Sequence, residues 1–378
     1  MRLHGRAFVD GDVRDGVTVE IDGARIAAVR VGESAPADAQ RITGLLVPGF
    51  VDLHVHGGAG ADFMDGTVEA VRRVCAFHAR HGTVALAATT LSAPRAEITA
   101  AVSAAVAVSR EPRPGEARVA GIHLEGPYLN PAEAGAQDPA ALRAVDRGEV
   151  AEWLAAAGDL PVTMTVAPEV AGVLELIAEL ARRVTFSLGH TEADEELTQR
   201  ALAAGARRFT HLWNAMPPLH HRKPGIVGAA LASPDAMLEL IADGHHVHPL
   251  LLAACARLAP QRVALITDAM RAAGMPDGRY TLAALDVEVR AGCARLANGS
   301  LAGSLLTMDS AVRTMVRDAG LPLAHVLPLA SEVPARALGL VDKGRIAAGA
   351  NADLVELDAD LRAARVWIAG EERNSQSF

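Results

Sequence analysis

Short hydrophobic runs recur along the middle of the chain, and polar stretches separate most of them. Eight of these runs are strand candidates: GFVDLHVH (49–56), TVALAATT (83–90), RVAGIHLE (118–125), PVTMTVAPE (161–169), RVTFSLGH (183–190), RFTHL (208–212), LELIAD (238–243) and RVALITD (262–268). Several intervening stretches, such as 67–82 and 194–205, place apolar residues at helical spacing. Runs that are apolar on both faces are typical of parallel strands buried beneath helices.

Eight strand-then-helix units in about 290 residues predict a (β/α)8 TIM-like barrel. An open doubly wound sheet is the alternative, but no Gly-x-Gly-x-x-Gly turn follows the first strand. Both ends of the chain differ from this middle, because short alternating runs there are broken by turn residues such as Asp-Gly. We therefore predict a small β-sandwich domain built from residues 1–47 plus 345–378, and a barrel over 48–344.

Composition narrows the classes of protein to consider. The formal net charge of −9 argues against general binding of nucleic acid or anionic membranes. The three cysteines, Cys75, Cys255 and Cys293, are far apart and form no Cys-x-x-Cys, which is typical of thiols in a reducing compartment. The charged N-terminal segment is unlike a signal peptide, and no uncharged stretch has the length of a membrane span. We predict a cytoplasmic globular protein.

Titratable side chains stand at the ends of most of the predicted strands. His54 and His56 are two residues apart, so in an extended strand both imidazoles point to the same face. Alone, so short a pattern favours two hydrogen-bonded polar residues at a strand end over a metal site. The full set of strand-end residues is His54, His56, Glu125, His190, His211, Asp243 and Asp268. Catalytic residues of such barrels lie at this edge, and imidazoles with carboxylates are ligands for a catalytic divalent ion such as Zn²⁺.

This pattern resembles the amidohydrolase superfamily, whose barrels begin with His-x-His and have an aspartate after the eighth strand. Many members bridge two metals with a carboxylated lysine. The only lysines here are Lys223 and Lys343, and neither ends a predicted strand. The lysine-bridged subtypes, typified by dihydroorotase and the hydantoinases, are therefore disfavoured. Glu125 is the residue available to bind or bridge metal in place of that lysine.

Six segments narrow the resemblance to one family. From about residue 45 to 355, their order and spacing are those of the N-acetylglucosamine-6-phosphate deacetylases. The segments are GIHLEGPYLNP, SLGHT, THLWNAMPPLHHRKPG, IADGHHV, LITDAM and NGSLAGSLLTMD. The resemblance implies that Glu125, His190 and His211 are the principal metal ligands. It also implies that Asp268 is the catalytic acid/base. His54 and His56 would complete a second metal position, which some members lack, so one or two divalent ions, with zinc favoured, are expected.

The same resemblance implies hydrolysis of the acetamide of a phosphorylated amino sugar. Arg222, in the basic loop HHRKPG, would bind the sugar phosphate with help from His246, because a guanidinium fork suits phosphate oxygens. In relatives this arginine comes from a partner subunit, so a homodimer is expected. The further substrate contacts that the resemblance implies are Ala136, Gln137, Asn214, Ala215, Leu301, Ala302 and Gly303.

Gln137 departs from the family pattern, because relatives commonly have a histidine there, near the reacting amide. Glutamine can donate a hydrogen bond but cannot accept a proton and become charged. Two alternatives to the deacetylase function stay open, and Gln137 points only to the second. One is an amidohydrolase for a cyclic amide or another N-acyl amine. The other is a catalytically weakened protein that only binds a sugar phosphate.

Overall fold

The computed structural model describes residues 1–373, which contain twenty strands and ten α-helices. The strands are β1 (Arg2–Val9), β2 (Asp12–Asp22), β3 (Arg25–Val31), β4 (Gln40–Pro48), β5 (Phe50–Val55), β6 (Gly57–Gly58), β7 (Ala61–Asp62), β8 (Thr83–Thr90), β9 (Arg118–Glu125), β10 (Val162–Val166), β11 (Val184–Leu188), β12 (Arg208–Phe209), β13 (Met237–Ile241), β14 (Val263–Ile266), β15 (Gly278–Leu282), β16 (Leu285–Arg290), β17 (Cys293–Leu296), β18 (Leu354–Leu357), β19 (Ala363–Ile368) and β20 (Glu371–Glu372). The helices are α1 (Val68–Arg80), α2 (Arg95–Arg110), α3 (Arg147–Ala157), α4 (Val173–Leu180), α5 (Glu195–Ala204), α6 (Gly225–Ala232), α7 (Pro249–Leu258), α8 (Met308–Arg317), α9 (Leu323–Ala330) and α10 (Glu332–Ala337).

The eight predicted strands form one parallel sheet in the order β5-β8-β9-β10-β11-β12-β13-β14. The sheet closes on itself just beyond β14. There the Asp268 N–H donates to the His54 carbonyl (2.8 Å), and the His56 N–H donates to the Ala269 carbonyl (2.9 Å). The predicted (β/α)8 barrel is confirmed. Its closure brings the first and last strands of the barrel together at the edge where the predicted ligands lie.

The barrel strands are buried on both faces, as their composition predicts. All eight residues of β8 are buried, and α1 packs on this side of the barrel with Val71 and Val74 fully covered. Helix α1 begins at Thr67, whose hydroxyl accepts the Ala70 N–H and satisfies one of the free donors of the first turn. Helix α1 thus covers apolar strand surface on this side of the barrel.

Both ends of the chain join in a second, seven-stranded sheet, in the order β20-β19-β18-β4-β1-β2-β3. The predicted small β domain from both termini is confirmed. Its own core contains Leu3, Val19, Ile26, Leu46, Leu354 and Trp367. The predicted domain boundaries at 47/48 and 344/345 stay a prediction, and residues 374–378 of this predicted domain lie outside the described residues. A separate three-stranded sheet, β15-β16-β17, follows the last barrel strand. Within residues 1–373, no helix combines the length and the apolar character needed to cross a membrane.

Candidate metal centre and active-site cavity

A cavity of about 380 Å³ opens at the C-terminal end of the barrel strands. A volume of this order accommodates a small organic ligand. The predicted site residues that line it are His56, Glu125, Ala136, Gln137, His190, His211, Asn214, Ala215, His246, Asp268, Leu301 and Gly303. Three predicted residues do not line it. His54 is fully buried beside it, Ala302 is buried, and Arg222 is exposed on its loop.

The Glu125 carboxylate lies at the centre of four imidazole rings. Its Oε1 atom is 3.2 Å from His211 Nε2, 3.3 Å from His190 Nε2 and 3.4 Å from His54 Nε2. Its Oε2 atom is 3.4 Å from His56 Nε2. All four rings therefore present Nε2 to one carboxylate.

These atoms form two groups, each with the donor types of a divalent metal site. His54, His56 and Glu125 form one group, and Glu125, His190 and His211 form the other, with the donor atoms of each group within 4.8 Å of one another. Two ligands of a tetrahedral zinc ion, each about 2.0–2.1 Å from it, lie about 3.3–3.4 Å apart. The separations around Glu125 match this spacing. The residues present fit one or two divalent ions, with Glu125 common to both positions.

The backbone at this edge adopts conformations that ordinary residues avoid. The φ angles of His190, His211 and Asp268 are 50°, 30° and 48°, and that of Ala215 is 50°. Non-glycine residues in the left-handed region cost free energy, and such residues cluster at functional sites. These turns direct successive strand-end side chains back toward the cavity, where they meet.

A backbone hydrogen bond fixes the orientation of the His190 ring. The Nδ1 atom of His190 lies 2.8 Å from the backbone carbonyl of Glu133, which can only accept a hydrogen bond. The ring therefore donates from Nδ1, and its Nε2 atom faces Glu125 and His211, where it would offer its lone pair to a bound metal. This arrangement is what a metal-binding imidazole requires.

Charges at the site keep its two carboxylates ionised. Burial alone would raise the pKa of Glu125, but the charge of His54 and hydrogen bonds from His190 and His211 hold that pKa well below its usual range. Burial likewise opposes ionisation of Asp268, and the neighbouring His54 and His56 lower its pKa. Asp268 Oδ1 lies 3.1 Å from His56 Nε2. An ionised Asp268 at the cavity wall can accept a proton.

Gln137 binds the central carboxylate directly. Its Oε1 accepts the Ser92 N–H (2.7 Å), which fixes the orientation of the amide, and its Nε2 donates to Glu125 Oε2 (2.6 Å). Both side chains are buried. Gln137 thus links the end of β8 to Glu125, a contact that the sequence did not indicate.

Replacing Gln137 by methionine should weaken metal binding by about 10- to 100-fold, the usual cost of losing a hydrogen bond to a metal ligand. The free energy of unfolding should also fall by about 1–3 kcal/mol, because the buried Ser92 N–H loses its acceptor. Metal affinity from competition with a chelating dye, and urea denaturation, measure the two effects. Unchanged metal affinity in a folded variant would show that Gln137 does not orient Glu125.

His246 and Asp243 form a pair on the loop after β13. The Asp243 carboxylate accepts the backbone N–H groups of His245 (2.8 Å) and His246 (2.9 Å), and its Oδ2 lies 2.7 Å from His246 Nδ1. Asp243 therefore fixes the imidazole of His246, which lines the cavity. The orientation leaves Nε2 of His246 free for a ligand.

The segment 301–304 packs closely against Asp268. The Ser304 N–H donates to the Asp268 carbonyl (2.8 Å), and Gly303 has φ +60°. A Cβ atom at Gly303 would lie 3.0 Å from the Asp268 carbonyl oxygen, so a larger residue would displace the turn that holds Asp268. Asn214 has a similar local role, because its amide donates to the His211 carbonyl (3.1 Å).

The lysines lie away from the metal centre, in agreement with their positions outside the predicted strand ends. Lys343 is buried in an ion pair with Asp353, and Lys223 is exposed on the loop after β12. Sequence reasoning missed six residues that line the cavity: Leu91, Ala132, Glu133, Gly135, Leu282 and Ser300. Ser300 lies within the segment NGSLAGSLLTMD, whereas Leu91 and Leu282 belong to segments without any motif.

The chain is similar to proteins of known activity over nearly its whole length. The pattern of the amidohydrolase family matches residues 45–373. An N-acetylgalactosamine-6-phosphate deacetylase of Escherichia coli O157:H7 is 42% identical over 334 residues, which cover 88% of each chain. An N-acetylglucosamine-6-phosphate deacetylase of Vibrio furnissii is 38% identical over 371 residues, 97% of this chain and 92% of the relative.

A solved structure agrees with these sequence matches. It is an aspartate-to-alanine variant of the N-acetyl-D-glucosamine-6-phosphate deacetylase of Mycobacterium smegmatis in complex with N-acetyl-D-glucosamine-6-phosphate. It superposes with a TM-score of 0.93 and 38% identity over 99% of each chain. The chain therefore belongs to the amidohydrolase family and, within it, to the N-acetylglucosamine-6-phosphate deacetylases and their close relatives.

Proposed function

We propose that this protein hydrolyses the acetamide of N-acetylglucosamine 6-phosphate and releases acetate and glucosamine 6-phosphate. The observation that supports this most strongly is the cluster of three imidazoles and two carboxylates at the wall of a cavity with room for a sugar, with His54 buried directly behind them. The relatives named N-acetylglucosamine-6-phosphate deacetylase support a phosphorylated amino sugar as the class of substrate.

The reaction needs an activated water, a polarised carbonyl and a proton for the leaving amine. A divalent ion held by Glu125, His190 and His211 would lower the pKa of water from 15.7 to roughly 7 and polarise the acetamide carbonyl. Asp268 takes a proton from the attacking water and later donates it to the nitrogen as the C–N bond breaks. One ionised carboxylate thus serves both half-reactions, and no covalent enzyme intermediate is needed.

Zinc is the ion we propose, because imidazole nitrogens and one carboxylate are typical zinc ligands at a site that keeps room for water. The donor atoms of His54 and His56 support a second ion beside the first. The predicted cytoplasmic location stays a prediction.

Acetate release tests the function. Purified protein is incubated with N-acetylglucosamine 6-phosphate and, in parallel, with the unphosphorylated sugar, and acetate is measured with a coupled enzymatic assay. We expect turnover that strongly favours the phosphorylated sugar. Protein that contains metal but releases acetate from neither compound would refute the proposal and favour a sugar-phosphate binding role.

A second candidate substrate is N-acetylgalactosamine 6-phosphate. Two relatives, at 42% and 36% identity, have the name of a deacetylase for that compound. Its acetamide and phosphate are the same groups, and only the configuration at C4 differs. The ratio of kcat/KM values for the two sugars decides which is preferred.

The phosphate-binding role of Arg222 and the homodimer are linked proposals. Arg222 is exposed and does not line the cavity of its own chain. Leu219, on the loop after β12, and Leu250, in the first turn of α7, are 45% and 74% exposed, which supports an apolar contact with a second copy at this end of the barrel. In such a dimer, Arg222 would reach the phosphate held near His246 of the partner.

Arg222→Ala is expected to raise KM for the phosphorylated sugar by about 10- to 100-fold, because hydrogen bonds between charged groups contribute about 1.5–3 kcal/mol. The kcat/KM for the unphosphorylated sugar should stay nearly constant. Lys223→Ala, which removes the adjacent cation on the same loop, is the matched control and should change KM much less. Equal losses on both sugars would remove the phosphate assignment.

A mixing experiment tests whether the arginine crosses the interface. Arg222→Ala and Asp268→Asn chains, each weak alone, are dissociated together and reassembled. If Arg222 acts in the partner's cavity, a mixed dimer contains one cavity with both residues intact and regains activity at low substrate concentration. No recovery in confirmed mixed dimers would place Arg222 in its own chain's site.

A further inference from the structure

A buried acid lies directly beneath the metal centre, on the side away from the cavity. Glu239, in the middle of β13, is fully buried, and it does not line the cavity. Its Oε2 atom lies 3.7 Å from Nδ1 of His54, which is also fully buried. Neither of these two atoms has a hydrogen-bond partner among residues 1–373. Their separation is longer than a hydrogen bond, so the contact between the two side chains is electrostatic.

The opposite oxygen of Glu239 faces a buried arginine. Arg208 Nη1, from the neighbouring strand β12, lies 3.4 Å from Glu239 Oε1 and donates to the Thr163 hydroxyl (3.2 Å). Its Nη2 donates to the Ala337 carbonyl (3.3 Å). Arg208 thus supplies the positive charge that an ionised Glu239 needs inside the barrel and leaves Oε2 for His54.

A buried ion pair inside a barrel carries a large desolvation cost. Removing two charges from water costs several kcal/mol, and apolar residues of similar volume are often as stable or more so. The run LELIAD is otherwise apolar until its last residue. Packing alone therefore does not account for an acid at position 239.

The pair has a clear effect on His54. A carboxylate opposite Nδ1 favours an N–H on that nitrogen, which would leave the lone pair of Nε2 for a bound metal. The Nε2 atom of His54 is the one that lies 3.0 Å from His56 Nε2 and 3.4 Å from Glu125 Oε1. His190 obtains the same orientation from the neutral carbonyl of Glu133, whereas His54 faces a charged group, which makes an imidazole a stronger ligand.

We propose that Glu239, held by Arg208, is a positioning residue for His54 and that it determines whether the second metal position fills. The proposal rests on the metal centre of the proposed function but not on its substrate. Glu239 is not a member of the group of Glu125, His190 and His211, so the first metal position should not depend on its side chain.

Zinc titration of the full-length protein tests this inference. Protein stripped with a chelator is titrated with Zn²⁺ against a chelating dye, and metal content after gel filtration is measured by plasma mass spectrometry. We expect two Zn²⁺ per wild-type chain. For Glu239→Gln we expect an unchanged first Kd and a second Kd about 10- to 100-fold weaker, as for loss of a partner of a metal-bound histidine.

Matched variants separate this role from a structural one. Glu356→Gln makes the same change in a buried acid that pairs with Arg365 in the small β domain, and it should leave both Kd values unchanged. Glu239→Leu combined with Arg208→Met removes both buried charges, so it avoids an unpaired arginine and keeps the test valid if the single variant unfolds. It should show the same selective loss of the second ion.

Three results would overturn the inference: one Zn²⁺ per wild-type chain, a Glu239→Gln second Kd within about threefold of wild type, or equal weakening of both positions. Acetate release is not the readout. A selective loss of the second ion in a protein that deacetylates nothing would support the role of Glu239 and refute only the proposed function.

Discussion

Asp268→Asn is expected to abolish nearly all turnover while the protein keeps its metal and still binds the sugar phosphate. Removing a general acid/base costs at least about 10²–10⁴-fold in rate, and here one group would serve in both proton transfers. The carboxylate lies at the cavity wall, and His54 and His56 hold its pKa below the usual range, so it is ionised and able to accept a proton at neutral pH. Asparagine has nearly the same shape but cannot accept and return a proton.

Three measurements check this result together: kcat for acetate release, zinc content per chain, and the affinity for substrate by calorimetry. Asp243→Asn is the matched comparison. Its carboxylate pairs with His246, so that variant should raise KM for the phosphorylated sugar more than it lowers kcat. If Asp268→Asn lost only a few-fold in kcat and Asp243→Asn lost several orders of magnitude, the acid/base role would belong to Asp243.

The barrel and the meeting of titratable residues at one of its edges were predictable because they depend on local patterns. Each barrel strand is a short apolar run, and in a parallel barrel all the carboxyl ends of the strands lie at one edge. A polar residue that ends such a run, such as Glu125 or His211, must therefore lie near the others. Even the sixth run, which forms only the two-residue strand β12, has the expected position between its neighbours.

The contacts that hold the Glu125 and His54 side chains in place were not predictable, because they join residues far apart in sequence. Gln137 accepts from Ser92, which is 45 residues away, whereas family resemblance indicated only that position 137 lies near the reacting amide. Glu239 belongs to a run that predicts an apolar strand, although an acid inside LELIAD was a signal that it has a partner in the barrel. Which partner it has depends on strand tilt and stagger, which a single sequence does not specify.

The contact with the substrate phosphate could not be predicted for a different reason. Arg222 was assigned by family resemblance, and the structure of one chain has it exposed and away from the cavity lining. The contacts of a residue within its own chain do not reveal a role in the active site of a partner subunit. The dimer experiments, rather than the packing within one chain, decide its role.

Glu125→Gln is expected to remove both metal ions and all measurable deacetylase activity. The Glu125 carboxylate is the one group shared by the two sets of ligands, and its oxygens lie 3.2–3.4 Å from the Nε2 atoms of all four histidines. A glutamine of the same shape carries no charge, and its NH₂ group would point hydrogens at imidazole lone pairs or at a cation. The loss in affinity should exceed the about 10- to 100-fold cost of losing a hydrogen bond to a ligand.

The comparison with Glu239→Gln makes this prediction specific. Both changes convert a buried glutamate to glutamine within the barrel, but Glu125 belongs to both ligand groups and Glu239 faces only His54. Plasma mass spectrometry should therefore find no zinc in Glu125→Gln, one ion per chain in Glu239→Gln and two in the wild type. Circular dichroism verifies that each variant is folded. Full zinc occupancy in a folded Glu125→Gln protein would mean that the imidazoles alone hold the metal and that Glu125 has another role.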